Sequence, residues 1–206
     1  MTTDIDNATR FLFDETYQMW RSDLEKIFRI GTRNTNGGCN LSSCILVLIG
    51  IESFSRFFSK KKSDKHAFED FFKCYYPDQY HGRMKHIYEL FRNGLAHYYY
   101  PKSKTKYISS IKFVVNRTDK RVLSLTSFKK KLDFYRSMCI QLVPDVSRPI
   151  ILVPQVLFLD TVNVMEYLRE QIKDDGDLQK LIVEKYLEIN KELFMDIESN
   201  KVKKQQ

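Results

Sequence analysis

The sequence predicts a mainly α-helical protein, a helical bundle with one inserted β-hairpin and a helical C-terminal extension. Three observations carry that expectation. The chain has 206 residues, 43% of them hydrophobic and 14% aromatic, ample material for a buried core and too much for an intrinsically disordered chain. It contains only 7 glycines and 5 prolines, too few for a collagenous or many-hairpin all-β protein. Apolar residues also recur at helical spacing in both the N-terminal and the C-terminal stretches.

Taken in order, Asn7 to Ile30 sets Phe11, Tyr17, Trp20, Leu24 and Phe28 on a helical repeat, with Gly31 as a stop. Thr32 to Asn40 is polar, contains Gly37-Gly38, and reads as a loop; without a Gly-Lys-Ser/Thr or a preceding strand it is a connector and no phosphate cradle. Leu41 to Phe58 is almost wholly apolar and should be the central buried helix. Its uninterrupted apolar run, Cys44 to Ile51, is less than half of what a bilayer span needs, so no membrane association is expected. A short helix follows at His66 to Tyr75, ended by Pro77, and Asp78 is positioned to cap a helix running through Met84 and Phe91 to His97.

Beyond Pro101, Lys106 to Val115 and Arg121 to Thr126 read as two strands around the turn at Asn116 to Lys120. Ser127 starts another helix. Pro144, Pro149 and Pro154 punctuate an irregular or extended stretch, and helices at about Thr161 to Lys173 and Leu178 to Glu198 complete the chain, with Lys201 to Gln206 as a frayed tail. The domain reading is therefore a helical unit over residues 1–145, with its hairpin at about 106–126, and a helical extension over 146–206 packed on it.

Charge is concentrated in one segment. Lys102 to Arg136 carries 11 Lys and Arg, among them Lys102, Lys104, Lys106, Lys129, Lys130 and Lys131, against two Asp. The rest of the chain is close to neutral although the whole carries +8. A polyanion such as RNA would be drawn to that segment, while a lysine-rich solvated surface is the plainer use of it. Cys39, Cys44, Cys74 and Cys139 are scattered without C-x-x-C pairing, and no basic-then-apolar leader opens the chain, so reduced thiols and a cytoplasmic location are expected. Cys74, His81 and His86 have spacings that fit no common zinc pattern, so no metal or cofactor is expected. Tyr75-Tyr76 and Tyr98 to Tyr100 have the aromatic faces that stack bases, but runs beside helix ends more often pack in a core.

The text Phe91-Arg92-Asn93-Gly94-Leu95-Ala96-His97-Tyr98-Tyr99 holds the candidate chemistry. At 100° per residue Met84, Ile87, Tyr88, Phe91 and Leu95 form one core-facing stripe, with Arg92 at its edge and His86, Glu89, Asn93 and His97 opposite. Asn93 and His97 are four apart, so the amide can orient the imidazole. Arg92 and His97 are five apart and diverge on a straight helix. Either the helix breaks near Gly94 or a second chain completes the site.

This stretch resembles the R-x4-6-H signature of the HEPN superfamily, in which Arg92, the polar Asn93 after it, and His97 match; Tyr99 extends the match to the R-x4-H-x-Y form found in HEPN toxins. The resemblance implies a HEPN-like helical bundle that forms a homodimer and acts as a metal-independent endoribonuclease, in a toxin or antiphage role. It implies Arg92, Asn93 and His97 as catalytic residues, RNA as substrate, and products ending in a 2′,3′-cyclic phosphate. It also implies a nucleotidyltransferase-type antitoxin as partner and Tyr99 as the residue such a partner modifies. The alternatives are a non-catalytic RNA-binding or protein-interaction module on the same scaffold, with Arg92 and His97 structural, and a nucleotide-sensing regulatory domain.

Overall fold

The computed structural model describes residues 2–30, 40–81, 84–93, 109–111 and 150–203, and within them the chain is mainly helical. The first helix of the sequence forms as one rod with three windings: α1 (Thr2–Thr9), a π-wound stretch Arg10–Tyr17, and α2 (Gln18–Ile30). Thr9 and Gln18 at the joints both keep right-handed helical dihedrals, so the axis is continuous. A π-turn closes i to i+5 and brings residues five apart over one another; Leu12 and Tyr17 are accordingly both buried.

α3 (Asn40–Phe58) is the central helix, with Val47, Leu48, Ile51 and Phe54 wholly buried. By length and composition Leu41–Phe58 is apolar enough to cross a membrane, a longer stretch than the Cys44 to Ile51 run suggests. Most of it is buried against this chain's own helices, and it carries Glu52 and Arg56. Trp20 of α2 meets Phe54 edge-on at 5.2 Å and Phe158 at 5.2 Å, joining the first rod to both the central helix and the C-terminal part.

α4 (Asp64–Tyr75) starts two residues before the sequence expectation, because Asp64 in its first turn is held by a two-point contact with Arg56 (2.8 and 2.7 Å). Asp78 does not cap the next helix as the sequence suggested. It opens a separate 3₁₀ turn, Asp78–Tyr80, that directs Tyr80 into the core, where its hydroxyl donates to Asp160 (2.8 Å). Tyr76 is also core, stacked on Phe72 at 4.0 Å, and is therefore no base-stacking platform. α5 (Met84–His86) then runs directly into a second π-wound stretch, Ile87–Asn93, packed on α3.

β1 (Ser109–Ile111) lies inside the first strand expected of the hairpin. Its partner is β2 (Ile150–Leu152), paired in parallel with Ser109 opposite Ile150. The second arm of the hairpin and the helix from Ser127 lie outside the described residues. α6 (Pro154–Gln171) begins seven residues before the expected Thr161, since Pro154 occupies the first helical position, where a missing N–H costs nothing, and does not break the chain. α7 (Gly176–Lys203) is opened by Asp175, whose Oδ1 accepts from the backbone N–H of Asp177 and Leu178 (both 3.0 Å). It runs on through Lys203, into what the sequence suggested was a frayed tail. Phe13, Leu24, Phe54, Phe72, Phe158, Leu168 and Ile182 belong to one buried cluster, so the C-terminal helices share the core of the N-terminal ones.

The buried tyrosines make stability pH-dependent on the alkaline side. Burial raises Tyr17, Tyr75, Tyr76 and Tyr88 above the ordinary tyrosine value of 10.0, reinforced at Tyr17 and Tyr88 by donation to Glu166 and Glu52. Above that value the unfolded chain releases protons that the folded chain keeps, so the tyrosine contribution is complete below pH ~10 and is lost as pH rises further. Thermal melts between about pH 8 and 11.5 should show a falling midpoint above pH ~10, with part of the tyrosinate absorbance appearing only on unfolding. A midpoint that stays level across that range would contradict the burial of these hydroxyls.

Candidate active site

The π-wound stretch Ile87–Asn93 meets α3 at Glu52. Ile87, Tyr88 and Phe91 are buried as the stripe predicts. Glu52, at 6% exposure, is one of few charged groups in the core. Both of its oxygens are occupied: Oε1 accepts from the Tyr88 hydroxyl (2.8 Å), and Oε2 accepts from Arg92 Nε (2.9 Å) and Nη2 (2.6 Å). Arg92 Nη1 donates to Asn93 Oδ1 (3.1 Å), and the guanidinium carbon sits 5.7 Å from the centre of the Tyr88 ring. Nearby, Lys65 of α4 pairs with Glu89 (2.7 Å).

The Asn93 amide oxygen accepts from the guanidinium of its chain neighbour Arg92 and does not depend on the His97 contact that the spacing suggested. Arg92, at the edge of the core-facing stripe, is the counter-ion of a buried carboxylate, so its removal is costly.

Of the guanidinium's five N–H groups, three have acceptors among the described residues, leaving one on Nη1 and one on Nη2. The Arg92 side chain keeps 23% exposure and is not sealed in the core. His97, Tyr99 and the basic positions Lys102, Lys104, Lys106, Lys129, Lys130 and Lys131 lie outside the described residues, so Arg92 and Asn93 are the members of the predicted set that the structure brings together.

Glu52 is the residue that sequence reasoning missed. The signal was partial: Glu52 is the one carboxylate of a mostly apolar helix and, if buried, needs a partner, but Arg56 four residues on is an equally readable local candidate. Of the metal candidates, His81 has Nε2 at 3.1 Å from the Tyr76 carbonyl oxygen and Nδ1 at 3.3 Å from Asp78 Oδ1, and Cys74 is exposed; no group of three ligating side chains occurs among the described residues. The open depression at the α6–α7 turn, lined by Gln171, Asp174, Asp175, Gly176, Asp177 and Lys180, shares no residue with the Arg92 site. Comparison with protein-family models, curated proteins and solved structures finds no match.

Proposed function

We propose that the chain is a metal-independent endoribonuclease of the HEPN type, with Arg92, Asn93 and His97 as its catalytic residues. The observation that carries this reading is the state of Arg92: a guanidinium fixed by Glu52 and Asn93, with one donor on each terminal nitrogen unused among the described residues, in a chain that continues to His97 at the R-x4-H-x-Y spacing. RNA cleavage of this kind needs a base that takes the 2′-hydroxyl proton, donors that stabilise the phosphorane, and an acid for the departing 5′-oxygen. His97 serves proton transfer and Arg92 stabilises the charge. The 2′-oxygen bonds to phosphorus, the P–O5′ bond breaks, and the 5′-oxygen takes a proton, giving a 2′,3′-cyclic phosphate and a 5′-hydroxyl.

In this reading a homodimer brings two copies of the pair together, and the basic segment beyond Lys102 supplies affinity for the RNA backbone. A toxin or antiphage role, with a nucleotidyltransferase-type antitoxin acting on Tyr99, extends the same proposal. One observation favours a second reading, a non-catalytic RNA-binding or interaction module: the Arg92–Glu52 pair is complete as a structural ion pair.

The two separate on a labelled RNA incubated with the protein in EDTA. The expected result is cleavage with cyclic-phosphate termini, blocked by a 2′-deoxy substitution at the scissile position. Binding without cleavage, or cleavage only with added divalent metal, overturns the nuclease reading.

A further inference from the structure

We infer that Glu52 is the positioning residue of this site: its carboxylate holds Arg92 so that the two remaining guanidinium N–H groups present a fixed fork to one phosphate. The inference rests on the proposed role of Arg92 in phosphate contact, and begins from where Glu52 sits. α3 is the most apolar of the described helices, and a carboxylate at 6% exposure within it is costly to bury. Apolar residues fill the neighbouring core positions Leu48, Ile51 and Phe54, yet position 52 keeps a carboxylate, at the point of α3 that faces Arg92.

The contacts fix orientation as well as charge. Nε and Nη2 both converge on Oε2, which locks the side edge of the guanidinium; Asn93 holds Nη1; the Tyr88 ring flanks the plane, and its hydroxyl secures the other carboxylate oxygen. A phosphate bound by arginine uses two donors in a rigid planar arrangement, and a group already held in place loses little freedom on binding. Glu52 also cancels the Arg92 charge. Attraction of the backbone at this point then depends on directed donors, and loss of Glu52 frees a full positive charge whose geometry is no longer set.

The protein carries its own control. Tyr17 and Arg21 repeat the Tyr-x3-Arg spacing and converge on Glu166 Oε1 (2.9 and 2.8 Å), with Arg21 Nε on Glu25 (3.2 Å). There the carboxylate is 45% exposed and the arginine 34%, so the same residue types, although Tyr17 is buried, hold an ion pair open to solvent.

Glu52→Gln keeps the shape of the side chain and removes its charge. In the full-length protein the expected result is a kcat about 10- to 100-fold lower with KM unchanged or reduced, since misplacing a reacting group costs about this much while attraction of RNA persists. Glu52→Asp should recover part of kcat, and Glu166→Gln should leave both constants unchanged. The second readout needs no activity: in ¹⁵N spectra the Arg92 side-chain N–H signals should be resolved and restricted in rotation, and should shift on addition of inorganic phosphate. In Glu52→Gln they should average, with a weaker phosphate response. If Glu52→Gln fails to fold, Tyr88→Phe carries the same test, with a several-fold loss of kcat and partial averaging. Full kcat in Glu52→Gln, or unchanged restriction of Arg92, overturns the inference. Wild-type protein that cleaves no RNA, yet shows the Glu52-dependent Arg92 signals and phosphate response, overturns the nuclease reading alone.

Discussion

Arg92→Ala is expected to abolish RNA cleavage and to destabilise the fold, whereas His97→Ala abolishes cleavage at nearly unchanged stability. The kinetic losses follow from the proposed roles: a proton-transfer side chain contributes about 10²- to 10⁴-fold, and a preorganised donor to the phosphorane about 10²- to 10³-fold. The stability difference follows from Glu52. Without Arg92 its carboxylate stays in the core with the Tyr88 hydroxyl as the one partner left from the set described at this site. Breaking a fully buried ion pair costs about 3–5 kcal/mol, and the 23% exposure of the Arg92 side chain admits solvent that reduces this to about 1–3 kcal/mol. Urea denaturation checks the claim, and the double variant Glu52→Gln, Arg92→Ala should recover much of the loss because the unpaired charge is gone. Equal stability of Arg92→Ala and wild type would mean that the pair contributes nothing. Cleavage retained in either single variant would remove that residue from the chemistry.

Gly50→Ala is the second large effect, although the change is one methyl group on a helix. A Cβ at position 50 would land on the Trp20 indole, within 2.6 Å of Cε2 and closer still to Nε1 and Cδ1. The ring is held on one side by its neighbours, although it is only partly buried. It is packed on Phe54 and Phe158, and its Nε1–H donates to the Leu46 carbonyl (2.9 Å), the same oxygen that α-helical geometry assigns to the Gly50 N–H. Overpacking of this kind costs about 1–3 kcal/mol and the lost indole bond about 1 kcal/mol, against a gain of up to about 1 kcal/mol in helix propensity. A net loss of about 2 kcal/mol lowers the melting midpoint by about 4–8 °C in a chain of this size. A higher midpoint for the alanine variant would show that Trp20 does not require the bare backbone.

Residues differ in how much of this could be read in advance. The central helix was legible because its apolar run leaves no alternative to burial, and α7 because its repeat is regular over many turns. The start of α6 was not, since proline marks both a helix start and a helix break, and the choice depends on the preceding residue, here Val153 in an extended conformation. The Phe91-to-Tyr99 motif drew attention to Arg92 and Asn93, but their mutual contact could not be derived, because helical spacing does not turn side chains one residue apart toward each other. Glu52 was hidden for another reason: it precedes Arg92 by 40 residues, and no local pattern connects them.

The winding of Ile87–Asn93 makes the site sensitive to chain length in a way that it is not sensitive to composition. Substituting an outward-facing residue there leaves the backbone path alone. Deleting one residue from this stretch lets the wide turn revert to an ordinary one, which absorbs the missing residue and keeps the flanking helix in register. A deletion between Tyr88 and Arg92 would still leave the two three apart in place of four, changing how they approach the same carboxylate although every side chain that makes the contact would be present. The tolerated variation among relatives of this chain should accordingly be in residue identity along Ile87–Asn93, with the residue count between Tyr88 and Arg92 held constant.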